Sequence, residues 1–241
     1  MARRRFFVDS VHNGRARITG EDAHHLTRVL RVEAGQKFEI SDNRDVYLAE
    51  VESARKDLVS FAILERMPAA QPAFHTTLLV SLIKFERFEW MLEKATELGV
   101  ECIIPVVAER SEKGLAQAAA KRLERWKRIA REAGEQSRRA RLPEIASAVG
   151  LAAALGSAAD YRYVLEERTA PPILRALPKE RKPQDRVALL VGPEGGWTDS
   201  EREAMPAAGW TAVSLGREIL RAETAALAGL AILNAAWLVE N

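Results

Sequence analysis

The sequence predicts an α/β protein in which a parallel sheet carries helices on both faces and follows a small β-barrel-like module. From residue 75 onward, continuous apolar strand segments alternate with helical segments, as is typical of parallel sheets that are buried on both faces. Before that point, short strand patterns alternate with turns rich in Gly, Asn and Asp. We therefore predict domains at 1–68 and 75–241, joined by a proline-containing linker at 69–74.

The N-terminal module contains strand patterns and one helical pattern. Helical spacing of apolar residues covers 21–32, "EDAHHLTRVLRV". Turn residues separate the strands at roughly regular intervals, as they do in small barrels. The predicted strands are "FFVDS" (6–10), "GRARIT" (14–19), "QKFEISD" (36–42), "VYLAEVESA" (46–54) and "LVSFAILER" (58–66).

The larger domain combines buried-type strands with amphipathic helices. One helix begins near Arg87 and ends at Gly99, and a longer one covers about 117–139. The closing helix, 222–239, is apolar nearly all round, so it must be buried on more than one side, either within its own domain or against a twofold mate. The predicted strands are "TTLLVSLI" (76–83), "VECIIPVVA" (100–108), "YRYVLEE" (161–167), "VALLVG" (187–192) and "TAVSLG" (211–216).

Composition places the chain among ordinary soluble proteins. Of its 241 residues, 47% are hydrophobic and 29% are charged, and the net charge is +2. The N-terminus lacks the apolar region of a secretory signal, and the apolar stretch 219–239 is too short and mild to cross a bilayer. We therefore expect a cytoplasmic protein with no membrane contact. Cys102 is predicted to be a buried small hydrophobe, and the histidines at 12, 24, 25 and 75 show no metal-ligand spacing.

The stretch "LLVGPEGGWTDSE" (189–201) is the first candidate site. It leaves a strand end with three glycines in five residues, and Thr198 with Glu201 forms a capping-box pattern that starts a helix at Asp199. Ligands in open α/β sheets bind outside such strand ends. No phosphate-binding P-loop or G-x-G-x-x-G motif is present, and Glu194 would repel a phosphate. The loop favours a cationic or neutral adenine-bearing ligand; the alternative is a tight turn with no ligand.

A second candidate loop lies in "SLGREILRAETAALAGLAIL" (214–233). A strand again ends at a glycine, Gly216, followed by Arg217 and Arg221 and then by a helix. Two strand-end loops so close in sequence predict that their strands are adjacent and that the loops lie side by side.

"LLVGPEGG" (189–196) followed by "LGREILRAETAAL" (215–227) resembles the SPOUT-class RNA methyltransferases, and within them the 16S ribosomal RNA uridine-N3 methyltransferases of the RsmE type. Segments 24–42, 87–111 and 132–145 resemble the same family, so the likeness covers most of the chain in order. The pair of C-terminal motifs is specific. Ala222 is a small departure, because threonine is expected there at least as often.

The resemblance implies a SPOUT-type trefoil-knotted parallel sheet with a PUA-like, OB-type barrel before it. It also implies S-adenosylmethionine as cofactor, a homodimer through the C-terminal knot domain, and 16S ribosomal RNA in the small subunit as substrate. The implied cofactor-binding residues, carried over from the motifs, are Val191, Gly192, Gly195, Gly196, Leu215, Gly216, Ile219 and Leu220. The resemblance thus implies that these positions are glycine because the absence of a side chain lets adenosine contact the backbone.

Methylation at N3 of uridine requires a negative charge to develop on the base. Arg221, at the start of the closing helix, is the candidate to stabilise that charge at the O2 or O4 oxygen. The alternative for Arg221 is an ion pair with Glu194 or Glu223. Glu194 is the candidate proton acceptor, and no metal is required.

Basic residues are concentrated in two places. Residues 121–141 hold nine Lys or Arg against three Glu, and residues 1–31 hold seven Arg against three acids. Such clusters are typical of phosphate-binding surfaces, although a charge run can also be a solvated helix face. We expect Trp90, Trp126 and Trp237 to be core residues. The predicted RNA-binding residues are Arg5, His25, Arg28, Arg31, Lys84, Arg87, Arg110, Arg138 and Arg139.

Two other functions fit parts of the pattern. A non-catalytic RNA-binding or ribosome-assembly factor on a methyltransferase fold would lack cofactor binding at 192–196. A nucleotide-utilising enzyme with an unusual phosphate loop would be stabilised by ATP or NAD instead of S-adenosylmethionine.

Overall fold

The computed structural model describes residues 4–69 and 71–239. The chain forms two compact units, one containing residues up to 71 together with 131–142, and the other containing 72–130 together with the rest from 143. The first division lies close to the predicted linker. The assignment of 131–142 to the first unit differs from the predicted domains, in which that segment belonged to the C-terminal domain.

The first unit is built on a six-stranded sheet with the strand order β1-β4-β5-β6-β3-β2. Strands β1 and β4 are parallel, and the other neighbours are antiparallel. On β3, Ala16 and Ile18 are buried while Arg15 and Arg17 are exposed, as expected for a sheet with one covered face. All five predicted strands are present, and β2 was missed. The strands are β1 (Arg5–Phe7), β2 (Val11–His12), β3 (Arg15–Thr19), β4 (Lys37–Ser41), β5 (Val46–Arg55) and β6 (Leu58–Met67).

The predicted helix of this unit is shorter than its apolar pattern. Helix α1 (Gly20–His24) continues as a π-helical turn, His25–Val29, and the chain leaves it through Arg31 in the left-handed region at φ 52°. Val29 is 65% exposed, so only part of the apolar spacing is covered.

Segment 131–142 joins this unit through buried contacts. The carboxylate of Glu39, which is buried, pairs with Arg5 at 2.8 Å and with Arg138 at 2.7 Å. Gly134 lies so close to Phe7 and Leu142 that a Cβ there would be 3.3 Å and 2.7 Å from their side chains. The contacts of Arg138 with Glu39 and of Gly134 with Phe7 link residues about 100 or more positions apart in the chain, which explains why the sequence pattern alone did not place the segment.

The second unit contains a seven-stranded sheet in which every pairing is parallel, as predicted. The strand order is β10-β8-β7-β12-β11-β13, with β9 also pairing with β8. The trefoil knot implied by the resemblance stays a prediction. The strands are β7 (His75–Ser81), β8 (Cys102–Val107), β9 (Glu144–Ile145), β10 (Val149–Gly150), β11 (Tyr161–Leu165), β12 (Arg186–Val191) and β13 (Thr211–Val213).

Helices cover both faces of this sheet. Successive residues alternate between two cores: Leu78 of β7 and Leu189 of β12 face one, while Leu79 and Leu190 face the other. The first core contains side chains of α2 (Phe85–Glu97), α3 (Leu115–Gln136), α5 (Ile173–Ala176) and α7 (Ala222–Leu238). The second contains side chains of α4 (Leu151–Leu155) and α6 (Asp199–Ala207). The three-layer α/β prediction is therefore confirmed.

The three tryptophans predicted to be core residues differ in exposure. Trp126 and Trp237 are buried, but Trp90 is 49% exposed on the outer side of α2, so that prediction is wrong. Cys102 is half-buried, and its burial, aided by the nearby Glu144 and Glu101, raises the pKa of the thiol to about 11, which makes it unreactive at neutral pH. Within residues 4–69 and 71–239, no helix is long and apolar enough to span a membrane.

Candidate functional site

A cleft of about 400 Å³ opens at the C-terminal ends of three strands of the second unit. The loops after β12 and β13 form two of its walls. The prediction that these two strands are adjacent is wrong, because β11 lies between them and pairs with both. The residues that follow β11, Glu166 and Glu167, consequently line the cleft, and the sequence analysis did not select them.

The glycines of the first wall pack mainly against the chain itself. A Cβ at Gly192 would lie 2.9 Å from the ring of Trp197, and one at Gly195 would lie 3.2 Å from the Cβ of Arg110. Gly196 has φ 67° and faces the carboxylate of Glu167. Internal packing is therefore one reason for glycine in this loop, and the role of these residues in admitting adenosine stays a prediction. Gly192 and Gly196 still line the cleft with their backbone, whereas Gly195 is not among its lining residues.

The helix after this loop begins as predicted. Thr198 is the N-cap of α6, its side chain accepts a hydrogen bond from the Glu201 amide, and the Glu201 carboxylate accepts one from the Thr198 amide. The second carboxylate oxygen of Glu201 accepts a hydrogen bond from the amide of Glu109 at 2.8 Å. The capping box thus also ties the loop after β12 to the end of β8.

Arginines from other elements hold the main chain of this loop. The guanidinium of Arg110 donates to the carbonyls of Gly195 at 2.9 Å and Trp197 at 3.4 Å. Arg202 also donates to the Trp197 carbonyl, and it pairs with Glu166 at 2.8 Å. Trp197 itself is 2% exposed, and its ring N–H donates to the Leu165 carbonyl at 3.3 Å. The main chain and the indole of the glycine loop are therefore fixed by hydrogen bonds to other elements.

The second wall presents open space and uncovered apolar surface. A Cβ at Gly216 would meet nothing closer than the Glu218 carboxylate, at 3.9 Å. Ile219 is 79% exposed and Leu220 is 39% exposed, and both line the cleft together with Leu215. Exposed apolar side chains beside a concave surface are characteristic of a ligand-binding site.

Arg221 is the N-cap residue of α7, has extended backbone and is exposed at the edge of the cleft. Within the described parts of the chain, its guanidinium takes part in no ion pair, so the alternative pairing with Glu194 or Glu223 does not occur. Those two carboxylates face Arg87 instead.

The cleft contains more carboxylates than cations. Its lining includes Glu166, Glu167, Glu194 and Glu218, against Arg87, Arg217 and Arg221. Although burial raises the pKa of Glu166, hydrogen bonds from Arg202 and from the Arg168 amide hold that pKa below its ordinary value. Glu166 is therefore ionised at neutral pH, and its charge is paired with Arg202 at 2.8 Å.

The predicted RNA-binding residues fall into two groups. His25, Arg28, Arg31 and Lys84 are exposed. The guanidinium groups of the others are engaged within the protein, by Glu39 for Arg5 and Arg138, by the Arg141 carbonyl for Arg139, and by the glycine loop for Arg87 and Arg110. No group of three or more metal-ligating side chains occurs among the residues the structure describes.

Comparison with known proteins identifies both units. The family described as "RNA methyltransferase domain" matches residues 70–234, and "RNA methyltransferase PUA domain" matches residues 18–64. The chain is 34% identical over 224 residues to the ribosomal RNA small subunit methyltransferase E of Synechocystis sp., covering 90% of this chain and 72% of the relative. Its identity to the protein of the same name from Bacillus subtilis is 32%, covering 90% and 88%.

Two solved structures are similar over nearly the whole chain. One is the ribosomal RNA small subunit methyltransferase E from Neisseria gonorrhoeae bound to S-adenosylmethionine, with a TM-score of 0.88, 30% identity and 98% of each chain covered. The other is a putative methyltransferase from Legionella pneumophila in complex with S-adenosylmethionine, with a TM-score of 0.89, 28% identity and the same coverage.

Proposed function

Because this chain belongs to the RNA methyltransferase family, we propose that it transfers a methyl group from S-adenosylmethionine to N3 of a uridine in small-subunit ribosomal RNA. The observation that carries the proposal is the cleft formed by the loops after β11, β12 and β13, with its combination of uncovered apolar side chains and carboxylates. The proposed enzyme is cytoplasmic and needs no metal.

The cleft fits S-adenosylmethionine in its chemistry. The apolar side chains of Leu215, Ile219 and Leu220 and the open space at Gly216 suit an adenine ring. The carboxylates of Glu166 and Glu167 suit ribose hydroxyl groups and the positive charge of a sulfonium. A volume of about 400 Å³ lies in the range of small-molecule sites. When bound, the cofactor supplies an electrophilic methyl group.

The chain's own residues then have to orient the uridine and favour loss of its N3 proton. Arg221 is free of ion pairs among the described residues and lies at the cleft, so its guanidinium is placed to stabilise negative charge on a base oxygen. Positioning the base supplies much of the rate. Glu194 was predicted to accept the proton, but its carboxylate is already paired with Arg87. We assign the principal role to Arg221.

RNA binding is proposed for the exposed cations of the first unit. His25, Arg28 and Arg31 are all exposed at or after the π-helical turn, and the PUA domain match includes this turn. Cationic side chains at such a turn are available to phosphates. Lys84, exposed at the start of α2, is the corresponding candidate in the second unit.

We also propose a homodimer through α7. The exposed positions along this helix are Thr224, Ala231, Ala235 and Leu238, spaced so that they lie on one face. The face is small and apolar, and Leu238 is 70% exposed. Such a face packs closely against an equivalent helix of a twofold mate. The elution volume of the full chain in size-exclusion chromatography with light scattering tests this directly, and Ala231→Glu should give a monomer.

The test of function uses labelled S-adenosylmethionine and small ribosomal subunits from cells that lack this protein. We expect label at one uridine, with the methyl group located at N3 by mass spectrometry. Arg221→Ala should reduce the rate by about 100-fold or more. Arg175→Ala, an exposed arginine on α5 away from the cleft, is the matched control and should retain full activity.

Each other outcome has a distinct meaning. Label at a different atom or base would overturn the N3 assignment while leaving the methyltransferase intact. Absence of both label and cofactor binding would overturn the enzyme and favour a non-catalytic RNA-binding factor.

A further inference from the structure

One guanidinium meets carboxylates from two different loops beside the cleft. Arg87 lies in the first turn of α2 and hydrogen-bonds to Glu194 in the middle of the glycine loop. Its Nε lies 3.9 Å from Oε1 of Glu223, in the first turn of α7. The elements that follow β7, β12 and β13 therefore meet at a single side chain.

The two carboxylates differ in how much they depend on Arg87. Glu223 is 6% exposed, and its Oε2 has no hydrogen-bond partner among the described residues. It lies in the first turn of α7, and Arg87 is the cation that it faces among the described residues. The side chain of Glu194 is 43% exposed and stays hydrated. Removal of Arg87 would leave two carboxylates near each other with no cation between them, and the more exposed of them, Glu194, would move away.

Such a movement would displace the wall of the cleft. Glu194 lies between Gly192 and Gly196, both of which line the cleft with their backbone. Arg110 already holds the Gly195 and Trp197 carbonyls. Arg87 is thus a further anchor of the same loop beside Arg110 and Arg202, and it acts through the side chain of Glu194.

We propose that Arg87 is a positioning residue that fixes the glycine loop against the start of α7, and that it is not an RNA ligand. The inference rests on the proposed function only in taking S-adenosylmethionine as the occupant of the cleft. It replaces the sequence-based prediction that Arg87 contacts RNA.

The experiment measures binding of S-adenosylhomocysteine and of 16S RNA separately, by calorimetry and by filter binding, with the full chain. Arg87→Ala should weaken S-adenosylhomocysteine binding by about tenfold, the usual effect of losing one charge-assisted hydrogen bond. RNA affinity should change less than about twofold, because the guanidinium is already engaged. Arg87→Lys should recover part of the cofactor affinity.

Hydrogen exchange of residues 192–198 gives a readout that does not need any ligand. Exchange should be faster in Arg87→Ala and in Glu194→Gln, and the double variant should resemble the single variants, because both remove one interaction. Lys94→Ala is the matched control on the same helix. Lys94 also pairs with two carboxylates and its side chain is equally exposed, at 35%, but its partners Glu93 and Glu97 lie on α2.

Several results would overturn the inference. If Arg87→Ala weakens RNA binding and leaves both cofactor affinity and exchange unchanged, Arg87 is an RNA ligand. Additive effects of the two substitutions would show that the pair is not the relevant contact. If Arg87→Ala does not fold, Glu194→Gln alone decides the question, since it removes the negative charge of the same ion pair. If the unmodified chain binds no cofactor, the proposed function fails, while exchange still tests Arg87.

Discussion

Replacement of Gly192 by alanine tests whether the glycine loop is shaped by its own packing. An added Cβ would lie 2.9 Å from Cε2 and 3.0 Å from Nε1 of Trp197, closer than side-chain atoms normally approach. The indole has no room to retreat, because Trp197 is 2% exposed and its N–H donates to the Leu165 carbonyl. Either the ring moves and loses that hydrogen bond, or the loop moves.

The expected cost follows from these contacts. Overpacking by one methyl group costs about 1 to 3 kcal/mol, and a lost buried hydrogen bond adds about 1 kcal/mol. We therefore expect the free energy of unfolding to fall by about 2 to 4 kcal/mol, and Tm to fall by about 4 to 16 °C for a chain of this size.

Differential scanning calorimetry of Gly192→Ala and Gly216→Ala separates packing from ligand contact. Gly216 lines the same cleft, but a Cβ there meets nothing closer than 3.9 Å and its φ is not in the left-handed region. Gly216→Ala should keep the original Tm and lose cofactor affinity, because the methyl group occupies the cleft. The reasoning would be refuted if Gly192→Ala had an unchanged Tm and lost only cofactor affinity.

Three further substitutions test the fold. Burial raises the pKa of Glu135 to about 7, against opposing effects of the Phe7 amide and Arg131, so its contribution to stability is complete below its ordinary value of 4.5 and is lost as pH rises through 7. Glu135→Gln should therefore stabilise the protein by up to about 3 kcal/mol at pH 8 and by almost nothing at pH 4 in urea unfolding; equal effects at both values would contradict this. Leu230→Ala, at a buried position of α7, should lower the free energy of unfolding by about 2 to 5 kcal/mol in the same assay. A loss below 1 kcal/mol would mean that neighbouring side chains move in and fill the cavity. Thr198→Ala should cost about 1 kcal/mol through loss of the N-cap, and an unchanged urea midpoint would mean that other contacts start α6.

The arginines near the cleft show where sequence reasoning was insufficient. Arg87 and Arg110 follow strand ends, so their general location was predictable, and a ligand was a reasonable partner for them. A long charged side chain can reach several groups, however, and its choice depends on which loops the fold brings within reach. Glu194 is 107 residues from Arg87, and Gly195 is 85 residues from Arg110. No pattern within a short stretch of sequence predicts pairs of residues so far apart.

Interactions between residues close in sequence, by contrast, could be predicted from the sequence. The start of α6 at Asp199 depends on hydrogen bonds between Thr198 and Glu201, three residues apart, and the structure has it at the predicted residue. The apolar strands of the second unit were also predicted from a short stretch of sequence each, because burial on both faces of a sheet requires a continuous hydrophobic run. Family membership was also evident from the two strand-end motifs.

The sequence by itself therefore determined the longer helices and strands, the parallel arrangement of the larger sheet, and the two loops of the candidate site, whereas the short elements β2, β9, β10, α4 and α5 were not predicted. Only the tertiary structure decided that β11 separates β12 from β13, which brings Glu166 and Glu167 into the cleft. It also decided that residues 131–142 join the first unit. The physical reason is the sequence separation of the interacting residues. Helix starts and strand faces depend on neighbours within a few residues, whereas strand order and the choice of ion-pair partners depend on contacts between residues tens of positions apart.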